Sequence, residues 1–281
     1  MEFLNNYNLH NASDSKQAFT IDKGDIPTDK SARKAYAFTL AEVLITLGII
    51  GIVAAMTLPG VMGKFREKAT VTKLKKFYSV LSQGYIFATE EFGTPDVWGI
   101  SRRDAGSSDE DEEVYNASNA ILIRDRLFKN IKMIQKCDNA KNQKACGFAE
   151  KHFYIDGSID SATSGSTAQT ASALLEDGSS VMVISDNGGS RGSGALQNVY
   201  GLIYIDTNGL KQPNTYGSDM FFFYLTKTNI MPAGSEFETT YKFEEHCYSK
   251  GLGCESWIIL NENMDYLHCK DLSWSGSNRC K

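Results

Sequence analysis

The sequence predicts an α+β molecule: one long N-terminal helix carrying a C-terminal antiparallel β-sheet head. Three observations predict it. Val43 to Gly63 is a run of 21 residues with no charge. The segment after it places apolar residues three and four apart, the period of one helix face. Beyond Gly93 the pattern turns to short β-type runs separated by Gly, Ser, Asn and Asp clusters.

Residues 1–37 are polar and lack hydrophobic periodicity, and they end on Lys30, Arg33 and Lys34, so they are read as a leader peptide. Residues 38–63 form the transmembrane half of the helix, because 21 uncharged residues at about 1.5 Å each match a hydrocarbon core of about 30 Å. Residues 64–92 form its amphipathic half, with Leu74, Phe77, Leu81, Tyr85, Ala88 and Phe92 on one face and six Lys or Arg between Lys64 and Lys76. The two halves read as one helix with a kink or local melting near Pro59. Gly93-Thr94-Pro95 ends it. Residues 93–281 make the globular head. It opens on a polar stretch to about Asn119, whose acidic run Asp109–Glu113 is read as a solvated loop. Helical spacing follows over 121–134. Strands are expected at 148–155, 180–185, 199–206, 219–225 and 256–260.

The net charge of −5 gives no sequence support for a nucleic-acid partner, which would normally need a clustered basic face. All six cysteines (Cys137, Cys146, Cys247, Cys254, Cys269 and Cys280) lie on the C-terminal side of the apolar run. Confinement to one side predicts disulfides in an oxidising compartment. Cys137 and Cys146 make a local pair, and the pairing of the other four stays open. The competing reading is zinc held at His246-Cys247 and His268-Cys269, although no C-x2-C knuckle accompanies them.

The segment from Lys34 to Leu47 reads K-A-Y-A-F-T-L-A-E-V-L-I-T-L. It resembles the cleavage and methylation signature of type IV prepilins and type II secretion pseudopilins. Basic residues precede a small one, Phe-Thr-Leu follows, and a single Glu stands five positions into the chain that cleavage would leave. The resemblance, which extends through Pro59, implies a pilin-like fold. It also implies cutting between Ala37 and Phe38 by a prepilin peptidase, then methylation of the new Phe38 amine. Two features depart from the family: Ala37 replaces the usual Gly, and the leader is long, so a downstream start codon would shorten it. A secretory signal peptide fits less well, since its apolar core is usually about 7–15 residues long.

Glu42 has a physical reading of its own. A carboxylate at the edge of an apolar span either snorkels to the interface or pairs with a cation. Once the chain is cut, the Phe38 amine is such a cation. Pairing between Glu42 of one subunit and Phe38 of its neighbour would set the register of stacked helices. The charge balance points the other way on topology. Six Lys or Arg follow the span against Lys23, Lys30, Arg33 and Lys34 before it, so the positive-inside rule alone would keep the head cytoplasmic. The cysteines and the motif place it outside.

Two head segments carry candidate chemistry. Gly188 to Gly192 matches G-x-S-x-G around Ser190, but a nucleophile elbow needs a strand before the serine and a helix after it, and no helical pattern follows. A flexible loop is the better reading. Asp206, Asn208, Asn214 and Asp219 surround turn glycines, as oxygen ligands of a hard cation do. Their order, D-x-N-G then Pro-Asn then G-x-D, resembles the calcium-supported loop of major pseudopilins. The alternative is a hairpin whose Asn and Gly serve turn geometry alone.

The function expected from these readings is structural: a processed subunit that polymerises into a type IV pilus or a type II secretion pseudopilus. No catalytic residue and no required cofactor are expected. The partners are other filament subunits, the prepilin peptidase and methylase, and the bacterial inner membrane, which the chain crosses once with its head extracytoplasmic. Spans would pack through Gly48, Gly51, Ala54 and Ala55. The assembled filament would stand in the periplasm or at the cell surface. The alternatives are a membrane-anchored extracytoplasmic hydrolase using Ser190, and a single-pass adhesin or receptor.

Overall fold

The computed structural model describes residues 38–100, 109–138, 140–161 and 170–281. The leader, including Ala37, lies outside them. The first helix, α1, runs over Leu40–Phe92. It continues through Pro59 rather than melting there. The chain divides into two compact units, Met1–Val53 and Ala54–Lys281.

In the first unit every described residue, 38–53, is exposed. The most apolar window of α1 has a mean hydropathy of 2.2 and none of it is buried. A helix apolar on all sides finds its complement outside the chain.

In the second unit α1 changes character. Val71, Leu74, Phe77, Leu81, Tyr85 and Ala88 are buried at steps of three and four. They pack with Ala120, Ile123 and Leu127 of α2 (Asp109–Leu127) in the main core. Gly84 allows the close approach of the two helices, since a Cβ there would stand 2.3 Å from the Leu127 carbonyl oxygen. Gly93, at φ +78°, stops α1 in a backbone conformation that glycine adopts without strain.

A six-stranded antiparallel sheet runs in strict chain order: β1 (Met133–Cys137), β2 (Thr170–Leu175), β3 (Ser180–Gly189), β4 (Val199–Asp206), β5 (Met220–Thr226) and β6 (Ile230–Pro232). Side-chain alternation divides it between two cores. Val181, Val183, Ile203, Ile205, Phe221 and Phe223 face the helices. Met182, Leu202, Phe222 and Tyr224 belong to smaller clusters on the other side. Every residue of β5 is buried, because both of its faces are covered. Arg124 on α2, 1% exposed, ties that helix to the sheet through the carbonyls of Cys137 and Ser172 and through Asp138 at 2.7 Å.

The C-terminal region closes the head. A wide turn, Phe243–Cys247, runs into the single-turn α3 (Tyr248–Lys250), and α4 (Glu255–Asn261) follows. Phe243 and Trp257 stack with ring centroids 4.2 Å apart. Disulfides join Cys137–Cys146, Cys247–Cys254 and Cys269–Cys280, each closing a short loop.

Several expected elements differ from the observed ones. The acidic run at Asp109 begins α2 instead of forming a loop. The helix expected over 121–134 ends at Leu127, and its tail is the edge strand β1. Residues 148–155 form no strand; Phe153 makes only isolated bridges to Ile159 and Thr215. The apolar run 256–260 is helix α4, not a strand. A short apolar run does not by itself separate a buried helix turn from a strand.

Candidate functional site

The start of α1 is built by reciprocal hydrogen bonds. The Thr39 amide donates to Glu42 Oε2 at 2.8 Å, and the Thr39 hydroxyl donates to the same oxygen at 2.8 Å. The Glu42 amide donates back to Thr39 Oγ1 at 3.2 Å. Thr-x-x-Glu is a capping box, which satisfies amide groups that the first helical turn cannot. One oxygen of the Glu42 carboxylate therefore serves its own chain, and it is held beside the residue that follows Phe38. Phe38 itself is 83% exposed. Thr39 is a participant that the sequence reading passed over, although T-x-x-E before an apolar run is a legible signal.

In the head, Asp206 ends β4 and Asp219 precedes β5, and both are buried. Asp219 accepts from the amides of Asn214 at 2.9 Å and Thr215 at 2.7 Å, and from Asn208 Nδ2 at 3.0 Å. Asp206 Oδ1 accepts from the Asn208 amide at 2.9 Å. The structure thus brings Asp206, Asn208, Asn214 and Asp219 into one loop. Burial, with the nearby Asp219 charge, pushes the Asp206 carboxyl up to about 8. Burial also raises Asp219, against the pull of its amide donors. Lys73 on α1 reaches the same loop, donating to the Thr207 carbonyl at 2.8 Å. No local pattern announces a contact between residues so far apart in the chain.

Asp206, Asn208, Asn214 and Asp219 fit a hard cation in one respect. Asn208 Oδ1 is buried without a hydrogen-bond partner, while the Nδ2 and backbone amide of the same residue donate to Asp219 and Asp206. Both oxygens of Asp219 already take donors from the loop, so the loop also closes on itself. Among the described residues no group of three or more His, Cys, Asp or Glu could hold a metal ion. A cation here would rely on amide and carbonyl oxygens besides the two carboxylates.

The remaining candidates separate. The thiols beside His246 and His268 are bonded to Cys254 and Cys280, which removes the thiolates that zinc would need. Ser190 is exposed and donates to the Gly192 carbonyl at 3.2 Å. Among the described residues no histidine bonds to it, and the next element is a short 3-10 turn at Gly194–Gln197 instead of an elbow helix.

Comparison with known proteins agrees with the entrance motif. Residues 32–58 match the model of the prokaryotic N-terminal methylation motif, the prepilin-type cleavage and methylation motif of type IV pilins and pseudopilins. That motif and the one long apolar helix among the described residues are consistent with a pilin-like subunit anchored once in the inner membrane. No curated protein and no solved structure matches the chain. A second model covers residues 60–248, which is most of the head. The chain therefore belongs to the family described as a family of unknown function (DUF6613), and it carries the prepilin-type methylation motif at its N-terminal side.

Proposed function

We propose that this chain is a filament subunit, cut by a prepilin peptidase between Ala37 and Phe38 and methylated on the new Phe38 amine. Freed of its leader, it polymerises through the apolar part of α1 into a type IV pilus or a type II secretion pseudopilus. The reading is carried by one coincidence. The methylation motif spans residues 32–58, and of the described residues inside it, 38–58, all but the half-buried Ala54 are exposed. A surface of that kind is stable in lipid or against copies of itself, and not in water.

Glu42 has a double role in this scheme. Its Oε2 caps the helix through Thr39, which fixes the carboxylate at the membrane edge. Its other oxygen takes the methylated Phe38 amine of a neighbouring subunit, so two charges that are costly in an apolar bundle neutralise each other. In the head, calcium supports the loop that holds Asp206, Asn208, Asn214 and Asp219. It relieves the proximity of the two carboxylates and occupies the orphaned Asn208 oxygen. Extracytoplasmic placement of the head accords with its three disulfides.

Mass spectrometry of the mature N-terminus, on membrane and filament fractions from the native host, tests the scheme. The expected chain begins at N-methylated Phe38, and Glu42→Ala keeps that processing while filament yield falls. A mature chain beginning at Met1 or after Ala55 would end the proposal.

A further inference from the structure

Six cations follow the apolar run, and the structure divides them into two sets. Lys73 donates to the Thr207 carbonyl, Lys75 pairs with Glu262, and Lys76 lies 3.9 Å from Asp177. These three are engaged by the head. Lys64, Arg66 and Lys68 are exposed, and among the described residues no acidic side chain pairs with them. The nearest acid in the chain, Glu67, is taken by His268 at 2.9 Å. Phe65, between the free cations, is 65% exposed.

We propose that Lys64, Arg66 and Lys68, with Phe65, form a collar that binds the phosphate groups of anionic lipids in the outer leaflet. The proposal rests on the membrane-anchored reading above. Position argues for it first: the uncharged run ends at Gly63, so the three cations begin where about 30 Å of hydrocarbon ends. An exposed Phe ring at that level can bury itself at the boundary between head groups and acyl chains. Direction argues for it second. At about 100° per residue, Lys64 and Lys68 share one face of the helix while Arg66 lies on nearly the opposite one. Charges on both sides of a helix cannot all meet one neighbouring protein surface, whereas lipid head groups surround it. Long Lys and Arg side chains reach such phosphates while their stems stay in the apolar layer. The collar also accounts for the reversed charge balance around the span. Three of the cations on the outer side are engaged by the head and three meet lipid.

Native mass spectrometry of the full chain tests this, after release from vesicles of phosphatidylcholine mixed with phosphatidylglycerol. The expected parent retains phosphatidylglycerol in preference to phosphatidylcholine. The combined Lys64→Gln, Arg66→Gln and Lys68→Gln variant loses that preference by about ten- to a hundredfold. A Lys73→Gln, Lys75→Gln and Lys76→Gln variant keeps it. A parent that inserts but retains both lipids equally overturns the collar and leaves the anchor intact; a parent that fails to insert overturns both. A collar variant with unchanged lipid preference but lost filaments shows that these cations meet a second copy of the chain, which also overturns the collar.

Discussion

Leu44, Ile45 and Ile50 are as apolar as Leu74, Leu81 and Phe223, yet the first three are more than half exposed and the last three have no exposed surface. The contrast divides the molecule. In the head an apolar side chain is covered by its own chain, and the buried charge of Arg124 is met by carbonyls and Asp138. In residues 38–53 nothing internal covers the side chains. The head covers its own apolar residues, and the first part of α1 leaves its apolar residues uncovered. The same residue types serve both, because what they bury against decides the outcome.

Substitutions can break or sharpen this division. The largest effect belongs to Trp257→Ala, which removes the ring stacked on Phe243 in the fully buried end of the head. It should cost about 3–5 kcal/mol in denaturant unfolding of the full chain in detergent. Helical circular dichroism from the apolar first part of α1 should persist after the head has melted. Loss of both signals together would mean that the two regions are one cooperative unit.

Replacing Cys247 and Cys254 by Ser should lower head stability by about 2–3 kcal/mol, since a short closed loop restricts the unfolded chain only modestly. Unchanged stability would show that the packing around Trp257 holds this region without the covalent link.

Asp206→Asn tests whether the head is complete without an ion. The folded-state value of Asp206 is about 8, against about 3.9 in an unfolded chain. Between those values the folded state keeps a proton that the unfolded chain has released, so stability falls as pH rises through that window. Without calcium the Asn variant should be about 1–2 kcal/mol more stable than the parent at pH 8, and the gap should shrink toward pH 5. With calcium the parent alone should gain thermal stability. Equal pH profiles for the two proteins would remove Asp206 as the source.

The smallest effect is expected at Thr39→Val. Losing the cap should cost the start of α1 about 1 kcal/mol and leave the melting of the head untouched. Faster amide exchange over the first turn of α1 would report it, and unchanged exchange would mean that the cap contributes nothing there.

The sequence disclosed the parts whose pattern is long or whose motif is local. The helix pattern from Leu74 to Phe92 extends over several turns, and its end at Gly93 is marked by a glycine. β4 and β5 are dense in β-branched and aromatic residues and were legible. β2 was not, because its core-facing residues Ala171, Ala173 and Leu175 have little β preference, so the alternation is faint. β1 was absorbed into the preceding helical pattern, and residues 256–260 were too short to separate helix from strand. The acidic run at Asp109 suits a first helical turn as well as a loop, since the helix dipole favours negative charge there. At the candidate sites the individual residues were legible and their partners were less so. Glu42 stood out as the lone charge, whereas its cap Thr39 and the reach of Lys73 to Thr207 depend on geometry that spacing does not carry.

The strict strand order of the sheet bears on how the head is made. Each strand pairs with the one before it in the chain, and only the β1–β2 connection is long. Contacts between sequence neighbours close with little loss of loop entropy, and chains built on them fold quickly. A head made from its N-terminal side can therefore lay down each strand on a finished edge as it emerges. Only the last strand edge awaits the C-terminal segment, so the head spends little time as an open, aggregation-prone sheet.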